Sequence, residues 1–570
     1  MKKNLIIVAL VALGFCSCTE DFITKDPLGV ASSATYYKNV DQCQLAVNAV
    51  YDPLGWFNLH DEYLWKIGDI CSDDCERGGG NDKANYTMGD DWDKGGQLSV
   101  FQASDRSTIM TGIWEASYIA IARANAMLAG TEEVKDEKDF KVMRGEVRFL
   151  RAWYYFQLTK VFGPVVLLKE TVSVADAENL GNRASDDPDG FKQVKAQYDF
   201  IIDELEAIKD DLPVTASEFG KVTNGAARAF LAKAYLYRAN TCGTNDMENA
   251  YQTAYKLYSE GTYQLEEHYQ NVFDIYSEAY ERSKEVIFSV QHMEGSVYGR
   301  DSEGSIMPLY MAPRYYYDPS ESASVREDGL GYGFAIPTQD LMNEFEDGDP
   351  RATMVVASPY KNSDVTSTIS RLNLDTKAWC SPANIEGGEG WYEIGATDWT
   401  TGYYNMKKSC SSPRIMGSLN PQCVGKDNVL IRLADVMLIA AEAGVQSGHV
   451  TEATDLLNAL RTRANNSART IDYTADGSTE ACYTYTPSTA LPMLATADLD
   501  AVKHERRVEM YGEGERYWDL VRWDETYKFR TKDIVGYEFK YDPKTLGRWP
   551  IPQAEIILHA GGNLKQNPEY

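Results

Sequence analysis

The feature that most constrains the fold is a helical repeat of apolar residues in long segments near both ends of the chain. Between residues 140 and 162, apolar side chains recur at spacings of three and four, from Met143 to Val161. That spacing places them on one face of an α-helix. Gly163 and Pro164 follow directly and predict the end of this helix. The same periodicity predicts helices over residues 41–54, 114–128, 191–210, 224–240 and 246–260.

A helical hairpin is predicted nearer the C-terminus. Residues 429–447 and 449–464 each carry one apolar face, and only Gly448 and its neighbours separate them. Alanines along residues 224–240 allow neighbouring helices to approach closely. Hairpins of roughly 34 residues with small packing residues resemble tetratricopeptide-type repeats, although the full repeat consensus is missing. The sequence therefore predicts a mostly α fold with a tetratricopeptide-like helical-hairpin scaffold.

The middle of the chain differs in composition and periodicity. Over residues 262–428 the helical period fades, and Gly, Pro, Ser and Tyr accumulate. This predicts a loop-rich insert with short strands, lying between helical parts at 18–261 and 429–570. Polar stretches predict a long loop at residues 71–108 of the first part and a second insert at 467–497 of the last.

The N-terminus has the features of an export signal. Two lysines precede an apolar run over residues 5–15, which is too short to span a bilayer. A cysteine directly after such a run is typical of bacterial lipoproteins, in which cleavage leaves an N-terminal cysteine that carries lipid, including palmitate. The small Ser17 favours Cys18 over Cys16 as that residue. We therefore predict a signal peptide at 1–17, with an ordinary secreted protein as the alternative.

Composition limits the partners. The formal net charge is −29, which argues against binding to nucleic acid and against electrostatic docking on an acidic membrane. No later apolar run approaches the ~20 residues of a membrane-spanning helix. Aromatic residues make up 12% of the chain, with 37 Tyr and 11 Trp, which is more than a core needs. We expect some of these rings to face outward.

The cysteines permit several disulfides, because export exposes the chain to an oxidising compartment. The spacing offers Cys71–Cys75, and some pairing among Cys380, Cys410 and Cys423. Sequence leaves the connectivity open. Because there is no paired CxxC and the six histidines are scattered, we predict no metal centre and no cofactor. Acidic loops leave a structural calcium ion open.

Several separated blocks resemble one family. Residues 144–164 read RGEVRFLRAWYYFQLTKVFGP and closely resemble a signature of the SusD/RagB family, the outer-membrane nutrient-binding lipoproteins of the Bacteroidetes. A second such block, residues 506–523, reads RRVEMYGEGERYWDLVRW. Further matches follow in the expected order, at residues 18–27, 220–236, 345–351, 431–443, 549–552 and 566–570.

The resemblance implies a function. It implies a tetratricopeptide-like scaffold with a variable ligand-binding insert, and capture of a nutrient, most often a glycan, at the cell surface. It implies delivery to a SusC-like TonB-dependent transporter, which the lipoprotein caps, and no catalysis. The acidic pair Glu20 and Asp21 after Cys18 resembles the signal that sends such lipoproteins to the outer face of the outer membrane.

The carboxylates of residues 503–523 suggest a different function, since paired carboxylates hydrolyse glycosides. These residues are Glu509, Glu513, Glu515 and Asp519. They lie among arginines at helical spacings of three and four, however, which predicts structural ion pairs. The sequence also lacks GxxxxGK[ST], HExxH and GxSxG. We predict that the protein is not an enzyme.

Sugar binding requires aromatic faces for the rings and polar side chains for the hydroxyls. Loop residues are the best candidates, because the scaffold does not need them. A peptide-binding member of the same family is the alternative, followed by a surface glycoside hydrolase and by a structural or adhesive surface protein. The candidate ligand-binding residues are Asp73, Asp74, Arg77, Tyr86, Trp92, Tyr310, Tyr315, Tyr316, Trp391, Trp399 and Tyr403.

Overall fold

The structure is a computed structural model of the whole chain. It describes residues 36–37, 39–78, 95–177, 179–182, 190, 194–274, 280, 283–294, 303–311, 316–317, 325–326, 334–354, 371–373, 378–382, 391–393, 405, 407–408, 423–472, 482–529, 539–559 and 562–570. Several predicted features lie outside these residues: the signal peptide with Cys18, the loop aromatics Tyr86, Trp92, Tyr315, Trp399 and Tyr403, and Cys410.

The N-terminal helices form where the apolar periodicity predicts them. The longest is α3, and its bounds agree with the predicted 140–162 to within two residues. Asn39 caps the first helix by accepting from the backbone N–H groups of Asp41 and Gln42. The helices are α1 (Val40–Tyr51), α2 (Thr108–Gly130), α3 (Lys138–Phe162), α4 (Lys195–Ile208), α5 (Asn224–Cys242) and α6 (Met247–Ser259).

The C-terminal helical hairpin also forms, but it begins later than predicted. Its helices are α7 (Leu433–Ser447) and α8 (Val450–Asn466), and Gly448 ends α7 in the left-handed conformation at φ 95°. Residues predicted to open this helix instead form strand β9 (Asn428–Arg432). The prediction was wrong there because a neighbouring strand supplies the backbone hydrogen bonds of this β-branched stretch. The helices α9 (Leu499–Met510) and α10 (Arg516–Arg522) and the short helix Gln553–Leu558 follow.

Helices that follow one another in the chain pack side by side. Such contacts join α2 to α3, α3 to α4, α4 to α5 and α5 to α6, and across the insert α6 packs on α7 and α7 on α8. This is the arrangement of stacked helical hairpins, in which each unit buries its apolar face on the next. The mostly α, tetratricopeptide-like fold is confirmed.

Short strands accompany the helices, as predicted for the insert. The prediction of a continuous loop at 71–108 was partly wrong, because that stretch holds β1 and the short helix Gly95–Ser99. The antiparallel pairs are β1 (Cys75–Gly78) with β5 (Phe334–Pro337), β2 (Val286–Val290) with β9, β3 (Tyr316–Tyr317) with β4 (Val325–Arg326), and β10 (Arg469–Asp472) with β11 (Cys482–Tyr485); β6 (Arg371–Asn373), β7 (Ala378–Pro382) and β8 (Trp391–Glu393) form a three-stranded sheet.

The main core centres on α3. The Trp153 ring lies edge-on to Phe230 of α5 at 5.0 Å between centroids, and Phe149 lies 5.0 Å from Phe288 of β2. Helix α3 therefore joins the helical stack to the β2–β9 pair. In the part of the chain that the structure describes, no helix is long and apolar enough to cross a membrane.

A close backbone approach fixes α10 against the N-terminal part. Gly68 lies in the wide helical turn Lys66–Ile70, opposite Gly514 in the turn before α10. The Gly514 N–H donates to Asp69 Oδ1 at 2.9 Å. A Cβ on Gly68 would stand 2.0 Å from the Gly514 carbonyl oxygen. Only glycine fits at this position.

We therefore expect Gly68→Ala to lower the free energy of unfolding by about 2–3 kcal/mol, because backbone rather than a flexible side chain must move. Gly243→Ala is the matched control. Gly243 ends α5 at φ 65° with no atom within 4 Å of an added Cβ, so it should cost about 1 kcal/mol from the left-handed backbone alone. Urea denaturation measures both values. Equal losses would contradict the close approach.

Candidate functional site

Two segments with predicted ligand-binding aromatics, one with Tyr86 and Trp92 and one with Tyr315, follow elements of one small sheet and its neighbouring helix in the chain. Gly78 ends β1 and pairs with Phe334, which begins β5. The segment with Tyr86 and Trp92 starts directly after Gly78. The short helix Met307–Met311, which precedes Tyr315, packs on β5. Gly78 and the helix Met307–Met311, after which these two segments begin, therefore both adjoin the β1–β5 sheet.

A small aromatic core lies under this sheet and holds Tyr310. The Tyr310 ring is buried, 6.2 Å from the Trp65 ring between centroids. The Lys66 ammonium stands 4.8 Å from the Tyr310 centroid and forms an ion pair with Glu62. Burial lowers the pKa of Lys66, and the Glu62 charge opposes that effect. The expectation that Tyr310 faces ligand was wrong, because its helix turns the ring inward.

Arg77 also supports the sheet from within. Its side chain is buried, and its Nη1 donates to the Gly78 carbonyl at 3.2 Å. Its guanidinium lies 5.5 Å from the centroid of the Phe334 ring. The prediction that Arg77 hydrogen-bonds ligand from an open loop does not match this buried position. Sequence reasoning missed Lys66 and Phe334; a lone cation in the apolar stretch LWKIGDI was the available signal.

Asp73 and Asp74 are buried in ion pairs, which corrects their prediction as exposed ligand contacts. Arg516 of α10 donates to both oxygens of Asp73 at 2.7 Å, through Nε and Nη2. Arg507 of α9 donates from Nε to Asp74 Oδ1, also at 2.7 Å. Their backbone carbonyls accept from Thr338, just after β5. These two carboxylates therefore anchor the sheet to the C-terminal helices.

The two carboxyls differ in pKa. Burial alone would raise the pKa of Asp73, but the hydrogen bond from Arg516 and the charges of Arg516 and Arg507 outweigh it and lower that pKa. Asp74 is more deeply buried, and burial raises its pKa to about 6 despite the Arg507 charge.

The remaining described candidates are placed by their backbone. Trp391 begins β8 and pairs with Pro382 of β7, and Tyr316 lies in β3 opposite Arg326. The other five candidate aromatics lie outside the described residues: Tyr86, Trp92, Tyr315, Trp399 and Tyr403.

The predicted Cys71–Cys75 disulfide is wrong. Cys71 is a free, buried cysteine whose thiol donates to the Leu98 carbonyl at 3.6 Å. Cys75 lies in β1, within the small aromatic core. Pairing among Cys380, Cys410 and Cys423 stays a prediction, because Cys410 lies outside the described residues. Among the described side chains, no group of three His, Cys, Asp or Glu could hold a metal ion.

The carboxylates of the arginine-rich block form structural ion pairs. Glu509 accepts from Arg432 at 2.8 Å and from Arg351 at 3.2 Å, and it also pairs with Arg463. Burial alone would raise the pKa of the Glu509 carboxyl. The charges of the three arginines outweigh burial and hold that pKa well below its ordinary value. Such a group is a poor general acid.

The other carboxylates of the block are paired in the same way. Glu513 binds Lys407 at 2.7 Å, and Glu515 binds Lys233 at 2.9 Å. Asp519 accepts from Arg506 at 2.7 Å. A glycoside hydrolase needs one carboxyl that is protonated at the reacting pH and open to substrate. This block offers charge-compensated carboxylates instead, and two of them, Glu509 and Asp519, are buried.

Comparison with known proteins places the chain among SusD-like proteins. The SusD family model matches residues 284–570, which is half of the chain, and a second family model, described as starch-binding and associating with the outer membrane, matches residues 82–236. A SusD-like protein of Bacteroides ovatus is 28% identical over 253 residues, covering 43% of this chain and 42% of that protein. SusD-like protein P2 of Formosa agariphila is 23% identical across the full length of both chains.

Solved structures share the fold. A laminarin-binding SusD-like protein superposes with a TM-score of 0.67 at 23% identity, covering 94% of this chain and 100% of that one. Surface glycan-binding protein A of Bacteroides thetaiotaomicron superposes with a TM-score of 0.68 at 20% identity, covering 94% of this chain and 100% of that one. The same protein in complex with laminarihexaose gives 0.67, covering 92% of this chain and 99% of that one.

Burial makes Glu509 the most informative residue of the ion-pair network. We expect Glu509→Gln to lower the free energy of unfolding by about 3–5 kcal/mol, because it removes the negative charge that compensates three buried arginines. Glu132→Gln is the control: Glu132 pairs with Lys135 and Arg144 at the surface, where solvent screens the pair, so stability should stay nearly unchanged. Denaturation curves of both variants test this, and similar stability of both would contradict a structural role for Glu509.

Proposed function

The chain belongs to the SusD family, and on that premise we propose that it is a cell-surface lipoprotein that binds an oligosaccharide and delivers it to a SusC-like TonB-dependent transporter. The match of the family model over residues 284–570 carries this proposal. Two similar structures point to glycans, since one is a laminarin-binding protein and another holds laminarihexaose. In this proposal Cys18 carries the lipid, and the protein is held in the outer membrane facing the cell exterior.

The β1–β5 sheet is the proposed base of the ligand site. Asp73 and Asp74, just before β1, are buried and form ion pairs with α10 and α9. The sheet is therefore a rigid support for the segments that follow it in the chain. A pre-organised support reduces the entropy lost when a flexible sugar binds. The aromatic residues Trp92, Tyr86 and Tyr315, which follow these roots in the chain, supply faces on which sugar rings stack. Trp391, Trp399 and Tyr403 form the second proposed group.

Binding without catalysis is part of the proposal. The carboxylates of the arginine-rich block are committed to buried ion pairs, and a hydrolase would need a pair that opens on the bound sugar. In this proposal the protein binds its ligand and delivers it to the transporter without hydrolysing it.

Isothermal titration of the lipid-free protein, residues 19–570, tests the glycan proposal. The probes are neutral oligosaccharides, fructans, host N- and O-glycans and mixed peptides. We expect heat from one glycan class, and Trp92→Ala or Trp391→Ala should weaken binding about tenfold through loss of a stacking face. Tyr527→Ala is the matched control, because Tyr527 is an aromatic residue 73% exposed outside these loops.

Other outcomes would overturn parts of the proposal. Heat from peptides alone would replace the glycan with a peptide ligand. Loss of binding in Tyr527→Ala, but not in Trp92→Ala or Trp391→Ala, would place the ligand site near Tyr527 instead. Appearance of shortened sugars during the titration would show that the protein is an enzyme.

The anchor is tested separately in cells. We expect Cys18→Ala to abolish incorporation of labelled palmitate and to release the protein from the membrane fraction, because no thiol remains at the new N-terminus. Cys16→Ala should leave both unchanged, since Cys16 departs with the signal. The reverse pattern would place the lipid on Cys16.

A further inference from the structure

A large groove opens on elements of the helical scaffold that take no part in the β1–β5 sheet. It lies between the end of α1, the face of α2, the turn before α5 and the end of β2, and its volume is about 790 Å³. Pockets that bind small ligands span about 300–1,000 Å³. We propose that this groove is a second saccharide-binding site that takes a neutral oligosaccharide. The inference rests on the proposed glycan-binding function and adds a site to it.

An exposed aromatic ring stands in the wall of this groove. Phe219 is 42% exposed and lies in the connection between α4 and α5, at residues 209–223. That connection is held in place: the Val222 N–H donates to the Tyr51 hydroxyl at 3.0 Å, and the Asn224 N–H donates to the Pro213 carbonyl at 3.0 Å. A solvent-facing ring on a connection whose backbone is held in this way offers a sugar an apolar face.

Polar groups on the α1–α2 side are already oriented. Arg123 of α2 donates from Nη1 to the Ala49 carbonyl at 2.7 Å and to Asp52 Oδ2 at 2.9 Å. Trp56 Nε1 donates to Asp52 Oδ1 at 3.1 Å, and the Arg123 guanidinium lies 5.5 Å from the Trp56 ring. The bonds of Arg123 use Nη1 alone, so Nε and Nη2 remain as donors for sugar hydroxyls.

Both members of this pair remain accessible. The Arg123 and Asp52 side chains are 36% and 50% exposed, so neither is shielded from a ligand in the groove. Asp52 oxygens keep lone pairs that accept from hydroxyls. Across the groove, Gln291 donates its Nε2 to Ser289 at 2.8 Å, which leaves its carbonyl oxygen to accept. Fixed donors and acceptors beside an exposed ring are what a sugar ring requires.

The charge of the groove favours a neutral ligand. Asp52 and Glu303 are balanced by Arg123 and Lys221. His292, which also lines the groove, is buried, and burial lowers its pKa to about 4, so it is uncharged at neutral pH. The whole chain carries a formal net charge of −29, which repels acidic polysaccharides at a distance. Neither the groove nor its surroundings would select an anion.

Titration of residues 19–570 with neutral hexasaccharides of β-1,3-glucan, α-1,4-glucan and fructan tests the groove. We expect the hexasaccharide that binds to occupy two sites. Phe219→Ala should weaken one of them about tenfold, and Arg123→Lys should weaken the same one, because lysine keeps the charge but loses the planar fork of donors. Val214→Ala is the control: Val214 is 57% exposed and sits in the same connection outside the groove.

The double variant Trp92→Ala, Phe219→Ala separates the two sites. We expect it to bind the hexasaccharide about tenfold more weakly at both sites, while Trp92→Ala alone keeps the wild-type affinity at the groove. Wild-type stoichiometry and affinity in both Phe219→Ala and Arg123→Lys would overturn the groove site and leave the glycan proposal intact. A wild-type protein that binds none of the probes would overturn the glycan proposal and the groove with it. Binding of mixed peptides, lost in Phe219→Ala, would replace the saccharide with a peptide.

Discussion

Buried ion pairs between arginines and the carboxylates of α9 hold the separate parts of this chain together. Glu509 binds Arg432 at the end of β9, Arg463 of α8 and Arg351 of the turn Pro350–Met354. Glu285, just before β2, closes the cluster by binding Arg432 and Arg463 at 2.8 and 2.9 Å. A buried guanidinium without a carboxylate costs several kcal/mol, about 3–5 when one partner is lost. The sheet pair, the helical hairpin and the insert must therefore all dock on α9 in one arrangement.

The same helix reaches the proposed ligand site. Arg507 follows Arg506 in α9 and points to the other side, where it binds Asp74, while Arg516 of α10 binds Asp73. Arg506 faces the scaffold and binds Asp435 of α7 at 2.7 Å. Two adjacent residues thus connect the helical stack with the β1–β5 sheet. A ligand site built on such a base can vary its loops without loss of support, which suits a family of binding proteins.

Helices were the part of the fold most open to prediction. The spacing of apolar residues located α3 to within two residues at each end, because a packed helix shows one face to the core along its whole length. The start of α7 was misplaced, because residues 428–432 pair with β2 as a strand. The pairing of the carboxylates at 503–523 was foreseen from their arginine neighbours, but most of their partners come from distant parts of the chain.

Local patterns of residues determined where helices form, that the arginine-rich block is structural, and which family the chain belongs to. Only the tertiary structure decided that Asp73, Asp74, Arg77 and Tyr310 are buried supports, and that Phe219 and Arg123 share an open groove. The physical reason is distance along the chain: Asp73 meets Arg516 across 443 residues. Periodicity reports that a segment has a face to bury or a charge to pair, but the partner that covers it is chosen by the packing of the whole molecule.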